Sequence, residues 1–341
     1  MTDFRKTTRN GRECGNENVL TIREAMVKTG DLIDRILQSA PLNVRQMTSH
    51  LSLARGKGIR TLLLLACAAD GDGLAPDDAV SAAAAVELFH LATLVHDDII
   101  DDANLRRGIE TVHMKFGKKD AVICGDYLLC LALSAITPLS ETYYSDTNAG
   151  LFSVFAKSLG KTCLGELSEH QNNRNVDLSI LQYLRIISGK TSALFYVAAY
   201  AGALVGQCDP KEARLLAKFG SNLGTIFQIV DDCKDYEFSE EKAQKPVNND
   251  IMEGVVTLPL ILAIQKDPAL KDLALHAFDS AASAQLLHKK VCGAGALDSS
   301  RGIAEKYYRR AAKILGKVET ANKRVALAEL LEKALGASVS F

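Results

Sequence analysis

The sequence predicts an all-α protein, and three observations support that prediction. Apolar residues recur at helical spacing, as at Leu327, Leu330, Leu331 and Leu335, which places them on one face of a helix. Alternating runs of β-branched residues, the pattern of half-buried strands, are scarce. Hydrophobic residues make up 48% of the 341 residues, which is enough for one large core.

The predicted bundle forms a single domain. Residues 1–18 are polar and rich in Arg, Asn and Gly, so we expect a flexible arm there and a folded domain over 19–341. The breaks between helical stretches are too short to be interdomain linkers. They fall at 70–76, 105–117, 172–177, 207–210, 238–249 and 292–298.

Local patterns place two helix starts. Pro76 followed by Asp77 and Asp78 predicts one start, because acidic residues are favoured in the first turn of a helix. Thr257-Leu-Pro259 predicts a later start, with proline at an early helical position.

Charge and composition limit the class of partner. The net charge of −1 provides no basic field, which disfavours nucleic acid as a partner. No stretch of about 20 uncharged apolar residues stands out and residues 1–9 lack an apolar signal core, so we predict a cytoplasmic protein without a transmembrane segment. The eight cysteines form no C-x-x-C pair and are predicted to be reduced core thiols.

Two apolar runs, 88–102 and 226–235, end in the same pattern of carboxylates. In a helix, residues four apart share a face, so each run presents two stacked carboxylates with a third on the flank. The clusters are Asp97, Asp98 and Asp101 in the first run, and Asp231, Asp232 and Asp235 in the second.

Such clusters predict a divalent metal site. Like charges four residues apart oppose helix formation by roughly 0.2–0.5 kcal/mol per pair, so a cluster at the end of a buried helix suggests a compensating cation. Carboxylate oxygens are hard ligands and favour Mg²⁺. A single acidic run is more often solvated surface, but two runs that each follow an apolar helix favour the metal.

Basic residues accompany the acidic clusters. Arg106 and Arg107 directly follow the first cluster, and Lys57 and Arg60 lie upstream of it. A Gly-Lys-Thr triplet at 189–191 lacks the rest of a P-loop, so a nucleotide site is not indicated. Arginine and lysine in these places suit a diphosphate shared between protein and metal.

With these motifs the chain resembles the trans-isoprenyl diphosphate synthases of the polyprenyl synthetase family, from about residue 50 to about residue 265. The resemblance is carried by His96-Asp-Asp-Ile-Ile-Asp-Asp-Ala-x-Leu-Arg-Arg-Gly108, Gly125-Asp-Tyr-Leu-Leu129 and Phe227-Gln-Ile-Val-Asp-Asp232. It implies a helical bundle of the isoprenoid synthase type around a central apolar cavity. The implied reaction is head-to-tail condensation of isopentenyl diphosphate with an allylic diphosphate to an all-trans polyprenyl diphosphate.

The resemblance also implies roles for single residues and an assembly. The catalytic residues would be Lys190 and the six aspartates Asp97, Asp98, Asp101, Asp231, Asp232 and Asp235, the aspartates holding three Mg²⁺ ions per site. The isopentenyl diphosphate-binding residues would be Lys57, Arg60, His90 and Arg107. The allylic diphosphate-binding residues would be Arg106, Lys190, Thr191, Gln228 and Lys245. The usual assembly in this family is a homodimer.

The residues before the first cluster bear on product length. Ala92 and Thr93 are small, where short-chain synthases of this family commonly carry an aromatic plug. Phe89 lies one helical turn deeper. We predict that its ring closes the lower end of the cavity that holds the growing chain, and ordinary core packing is the alternative. One helical turn rises about 5.4 Å, comparable to one isoprene unit, so we predict products of about 25 to 40 carbons, with geranylgeranyl diphosphate as the alternative.

Four positions depart from the usual family pattern. Gly58 stands in place of a cation, Thr61 in place of a proline, Gln244 in place of a glycine and Val255 in place of a lysine. These departures bear on phosphate affinity and cavity closure more than on the type of reaction.

Other classes fit less well. A class I terpene cyclase usually has a different second metal motif, and a squalene-type synthase needs no isopentenyl site, so Lys57, Arg60 and Arg107 argue against the latter. A non-catalytic subunit of a heteromeric synthase would be expected to lose the acidic pairs, which this chain keeps. A helical structural protein with acidic surface runs is the remaining alternative.

Overall fold

The computed structural model describes residues 19–54, 56–143, 150–237 and 249–336, and it confirms the all-α prediction. The predicted N-terminal arm, 1–18, lies outside the described residues.

The helices follow one another through short connections, as predicted. In the described residues they are α1 (Ile22–Gln38), α2 (Leu42–Leu51), α3 (Ile59–Ala68), α4 (Asp78–Ile100), α5 (Val112–Phe116), α6 (Lys118–Thr142), α7 (Leu151–Gln171), α8 (Ile180–Ile187), α9 (Ala193–Val205), α10 (Pro210–Lys234), α11 (Asn249–Glu253), α12 (Leu258–Lys266), α13 (Leu270–Ala277), α14 (Ala281–Gly293), α15 (Ala296–Leu315) and α16 (Ala321–Leu335). A 3₁₀ turn (Ser52–Ala54) follows α2, and a π-helical turn (Ser188–Ser192) joins α8 to α9. Both predicted helix starts are confirmed, since α4 begins at Asp78 and α12 at Leu258.

Two strands tie the first described residues to the loop before α4. β1 (Val19–Thr21) pairs antiparallel with β2 (Leu74–Pro76). Thr21 then caps α1, because its hydroxyl accepts from Glu24 N and its own N–H donates to the Glu24 carboxylate at 2.9 Å. Such a capping box satisfies backbone donors that the first turn of a helix leaves unpaired.

A second strand pair follows α4 directly. β3 (Leu105–Arg106) and β4 (Ile109–Glu110) form a hairpin whose turn residues, Arg107 and Gly108, have φ of 53° and 78°. Two consecutive positive φ values are the backbone of a tight hairpin turn. The break predicted over 105–117 is therefore this hairpin followed by α5.

The long helices α4 and α10 form the centre of the bundle. α4 packs on α1, α3, α6 and α9, while α10 packs on α9 and α15. The core face of α4 combines alanines at 82–85 with Val86, Leu88 and Phe89, none of which has exposed surface. Small side chains let neighbouring helices approach closely. The acidic C-terminal ends of α4 and α10 meet at one cavity.

Two helices are longer and more apolar than the sequence analysis expected. By length and composition alone, α4 and α6 could cross a membrane, with mean hydropathies of 1.5 and 1.8 over 18 residues. The α4 window is 61% buried inside the fold, as expected of a core helix. The α6 window is 33% buried, because this helix turns apolar side chains such as Ile123 outward.

The seven cysteines among the described residues are all free thiols. Cys67, Cys124 and Cys233 are buried, as predicted. Cys130 and Cys163 are exposed on α6 and α7, so they are not the core thiols that the sequence suggested. The outward apolar face of these two helices explains the error.

Candidate active site

The first acidic cluster lies at the end of α4. Asp98 is 4% exposed and accepts a hydrogen bond from Arg106 Nε at 2.7 Å, so the β3–β4 hairpin folds back on the helix end. Asp97 and Asp101, four apart, share another face of the helix. Burial and the nearby Glu166 carboxylate raise the pKa of Asp97 to about 7. Lys190 and Arg106 lower this pKa, but they do not outweigh burial and Glu166, so the surroundings compensate the negative charge of Asp97 only in part.

The second acidic cluster lies at the end of α10. Asp231 and Asp235 are exposed, whereas Asp232 is 4% exposed. Tyr183 Oη donates to Asp232 Oδ2 at 2.5 Å, and Gln228 Nε2 donates to Asp232 Oδ1 at 2.7 Å. Burial raises the pKa of Asp232 to about 7, although both hydrogen bonds lower it. The middle aspartate is therefore buried, while Asp231 and Asp235 are exposed in the wall of the cavity.

Asp101 of the first cluster and all three aspartates of the second line one cavity of about 250 Å³. Its polar lining includes Asp101, Glu169, Tyr183, Lys190, Gln228, Asp231, Asp232, Asp235 and Glu253. Within the described residues, no three His, Cys, Asp or Glu side chains come together closely enough to hold a metal ion alone. Mg²⁺ is usually held by one or two carboxylates together with substrate phosphates. The hard oxygen donors on the two helix ends fit an ion held in that way.

Lys190 lies on the π-helical turn between α8 and α9. Its ammonium group contacts Glu169 and lies 3.2 Å from Glu166. The turn packs backbone to backbone on α7, because a Cβ atom at Gly165 would lie only 2.2 Å from Lys190 N. Burial lowers the pKa of Lys190, but the two glutamates outweigh it and raise that pKa overall. Lys190 is therefore a charged group held at the cavity by two carboxylates.

Thr191 and Gln228, both predicted to bind the allylic diphosphate, contact each other. Thr191 Oγ1 donates to Gln228 Oε1 at 2.6 Å, and Gln228 donates in turn to Asp232. Gln228 lines the cavity, whereas Thr191, which directly follows Lys190, is buried behind it. Lys245, the last predicted residue of this group, lies outside the described residues.

The residues predicted to bind isopentenyl diphosphate gather where α3 meets α4. Arg60 Nη1 donates to His90 Nε2 at 3.1 Å, and its guanidinium lies 4.7 Å from the centre of the Phe195 ring. Burial, and then Arg60, lower the pKa of His90 well below its usual value, so the ring is neutral. Burial lowers the pKa of Arg60 to about 10. Arg107 lies against the backbone at Gly56, where a Cβ atom would be 2.6 Å from its Nη2.

Two of the four departures from the family pattern have a structural reason. Gly58 has φ 62° and ψ 34° at the start of α3, a left-handed backbone that disfavours a side chain. Thr61 Oγ1 donates to Glu87 Oε1 at 2.8 Å, which ties α3 to α4 in a way that proline cannot. The third departure, Val255, lies in the cavity wall. Lys57, which follows the family pattern, is exposed just before Gly58. The fourth departure, at Gln244, lies outside the described residues.

The residues predicted to limit product length lie on the buried side of α4. Phe89 and Ala92 have no exposed surface, and the Phe89 ring centre lies 5.2 Å from that of Phe155 on α7. Thr93 is partly buried and donates its hydroxyl to the His90 carbonyl at 2.9 Å. The two phenylalanine rings thus fill the core below the first acidic cluster.

Several polar residues of the site were missed from the sequence, among them Glu87, Glu166, Glu169 and Tyr183. Glu166 and Glu169 are three residues apart on α7, and this spacing, which puts both on one helix face, was the available signal. No such signal in the sequence indicated Tyr183 or Glu87, because their partners lie 49 and 26 residues away along the chain.

Comparison with known proteins agrees with this arrangement. The profile of the family described as Polyprenyl synthetase matches residues 42–292. The geranylgeranyl diphosphate synthase of Sulfolobus acidocaldarius is 33% identical over 304 residues, which cover 87% of this chain and 91% of that protein.

Solved structures show the same fold. The heptaprenyl diphosphate synthase of Staphylococcus aureus superposes with a TM-score of 0.85 at 27% identity, covering 94% of this chain and 99% of that one. A polyprenyl synthase from Caulobacter crescentus, complexed with calcium and isoprenyl diphosphate, superposes with a TM-score of 0.83 at 31% identity, covering 93% and 96%. The similarity therefore extends over nearly the whole chain.

Proposed function

Because the chain belongs to the polyprenyl synthetase family, we propose that it is a trans-prenyltransferase that joins isopentenyl diphosphate head to tail to an allylic diphosphate. The observation that carries the proposal is the meeting of two aspartate clusters at one cavity. A separate group of Arg60, His90 and Arg107 on the α3–α4 side supplies a second place for a diphosphate. Two diphosphates are what this reaction needs.

We propose Mg²⁺ as the metal, with three ions per site. The aspartates that would hold it are the two outer ones of each cluster, Asp97, Asp101, Asp231 and Asp235. Asp98 and Asp232 are held by Arg106 and Tyr183, and we assign them the role of orienting their neighbours. The Caulobacter structure contains calcium with isoprenyl diphosphate, which supports a divalent ion. When bound, Mg²⁺ would neutralise charge on the departing diphosphate.

In the proposed reaction the allylic C–O bond breaks, and its electron pair leaves with the diphosphate. Lys190 and Arg106 place positive charge where that negative charge develops. Arg60 and Arg107 hold isopentenyl diphosphate so that its double bond attacks the allylic carbon, which forms the new C–C bond. The proton lost from isopentenyl diphosphate passes to the released diphosphate, and a new trans double bond results.

One assay tests the reaction class. The purified chain is incubated with Mg²⁺, labelled isopentenyl diphosphate and allylic primers of increasing length, and the products are then sized. We expect label in a prenyl diphosphate longer than its primer. Absence of incorporation with every primer would instead favour a non-catalytic subunit of a heteromeric synthase.

We propose products of about 25 to 40 carbons, since each helical turn of open space below Asp97 accommodates about one isoprene unit. Ala92 leaves the first turn below Asp97 without a bulky side chain, and we assign the floor beneath it to Phe89, which packs on Phe155. The similarity to a heptaprenyl diphosphate synthase supports this range. Geranylgeranyl diphosphate is the second candidate, because the Sulfolobus relative is a geranylgeranyl diphosphate synthase.

Replacing Phe89 with alanine should lengthen the product by at least one five-carbon unit. The ring has no exposed surface and packs on Phe155, so its removal would open space in the core below Asp97 for a longer chain. Mass spectrometry of the products would measure the shift. Leu88→Ala, which removes an equally buried side chain from a different face of α4, is the matched control. An unchanged product, or the same shift in the control, would exclude Phe89 as the floor.

We further propose that the enzyme is a cytoplasmic homodimer that associates through α6 and α7. These adjacent helices expose large apolar side chains: Val122, Ile123, Phe152, Leu164 and Leu167. Exposed apolar surface of this kind marks protein interfaces, and the free thiols suit a reducing compartment. Light scattering should give twice the mass of one chain, and a monomer at micromolar concentration would contradict the assembly.

A further inference from the structure

A chain of hydrogen bonds connects three elements behind the second acidic cluster. Tyr183 on α8 donates to one oxygen of Asp232, and Gln228 donates to the other. Thr191 on the π-helical turn donates to Gln228 at 2.6 Å. The network thus joins α8, α10 and the turn that carries Lys190.

Asp232 is the centre of this network. Both of its carboxylate oxygens already accept a hydrogen bond from a protein donor, and the side chain is almost fully buried. Tyr183 is also buried, with 3% of its surface exposed. On the same helical turn, Asp231 and Asp235 are open to the cavity. A carboxylate fixed on both oxygens is well suited to hold that turn in one orientation.

We propose that Tyr183 is a positioning residue that, through Asp232, holds Asp231 and Asp235 in the geometry that binds the metal–diphosphate complex. This inference rests on the proposed function and adds a residue on another helix to it. The phenol acts through Asp232, and no step of the reaction requires it to touch substrate.

The phenol is the informative group to remove. Tyr183→Phe keeps the ring and its packing and deletes only the donor to Asp232 Oδ2. A hydrogen bond to a charged group commonly contributes enough that its loss changes an equilibrium about tenfold or more. The open aspartates would then be held less firmly, and binding that depends on them should weaken.

The first measurement is binding without turnover. Calorimetric titration with Mg²⁺ and inorganic diphosphate should show affinity about tenfold lower in Tyr183→Phe than in the wild type. The Mg²⁺ concentration for half-maximal activity should rise in parallel, while the KM for isopentenyl diphosphate stays within about twofold. Equal weakening toward Mg²⁺ and isopentenyl diphosphate would indicate general loosening and would overturn the proposal.

A matched control is present in the same chain. Tyr143 Oη donates to Asp78 Oδ2 at 2.9 Å near the start of α4, at the opposite end of that helix from the first acidic cluster. Tyr143→Phe deletes the same kind of tyrosine–aspartate bond and should leave Mg²⁺–diphosphate affinity unchanged. A loss as large as that of Tyr183→Phe would contradict a local effect.

A double-mutant cycle separates action through Asp232 from packing. If Tyr183 works through Asp232, Tyr183→Phe should add little to the loss that Asp232→Asn already causes. Independent, additive losses would overturn the inference. Should Tyr183→Phe lower thermal stability, the titration with Mg²⁺ and inorganic diphosphate is repeated at a temperature at which both proteins are fully folded, where a persisting loss of affinity supports the proposal and wild-type affinity overturns it.

The outcomes for this inference and for the proposed function are distinct. If the wild type incorporates no isopentenyl diphosphate, the proposed function fails whatever the variants do. If the wild type is active and Tyr183→Phe binds Mg²⁺ and diphosphate with wild-type affinity, only the role of Tyr183 fails.

Discussion

Replacing Asp97 or Asp231 with asparagine should lower the rate of prenyl transfer about a thousandfold or more, because a lost metal contact removes several kcal/mol of stabilisation from the departing diphosphate. Each residue shares a helix face with one further aspartate, Asp101 or Asp235, so its loss removes half of the proposed ligand pair on that helix end. The fold should survive, since asparagine matches the shape of the carboxyl group and, at position 97, removes a charge whose burial outweighs its attraction to Lys190 and Arg106. Single-turnover assays at saturating Mg²⁺ would measure the loss.

The control for this prediction is the neighbouring Asp102. It is exposed and pairs with Lys118 at 2.6 Å, away from the cavity. Asp102→Asn should keep nearly full activity, and circular dichroism should show the same helical content in all three variants. Near-normal turnover in both Asp97→Asn and Asp231→Asn would refute the metal-binding role of the two clusters.

Helical periodicity was sufficient to predict the elements that carry the site. The apolar runs before Asp97 and Asp231 became the buried helices α4 and α10, as their composition required. The β3–β4 hairpin could not be predicted in the same way. Its turn begins with Arg107 in a left-handed conformation, and arginine gives no local indication of such a turn.

The six aspartates could be named from the sequence, but their different environments could not. Asp97 and Asp98 are adjacent in the chain, yet Asp98 is tied to Arg106, whereas Asp97 lies near Glu166. Asp232 differs from Asp231 because Tyr183, 49 residues away, donates to it. These differences arise from tertiary contacts, which a helical repeat does not encode.

The stability of the metal-free protein should fall as the pH rises from about 5.5 to about 8, by about 1–2 kcal/mol for each raised carboxyl group. The pKa of Asp97 and that of Asp232 are each raised to about 7 by burial. The folded state therefore holds these protons more tightly than the unfolded chain does. The stabilisation is complete below the unfolded pKa and is lost as the pH passes through about 7. Thermal unfolding in a chelator across this range would measure it.

Comparison with Asp97→Asn isolates one of the two groups. Near pH 5.5 the folded wild type is protonated at Asp97 while its unfolded chain is already ionised, so the two proteins should differ less in unfolding temperature than they do near pH 8. Near pH 8 the wild type carries the buried charge and should unfold at a temperature several degrees lower, about 2–4 °C for each kcal/mol. Mg²⁺ with diphosphate should reverse the order at that pH, because it binds the ionised carboxylates of the wild type. If the difference in unfolding temperature between the wild type and Asp97→Asn does not widen as the pH rises, the surroundings of Asp97 do not oppose its ionisation. If Asp102→Asn differs from the wild type in unfolding temperature by the same amount, the effect does not arise at the site.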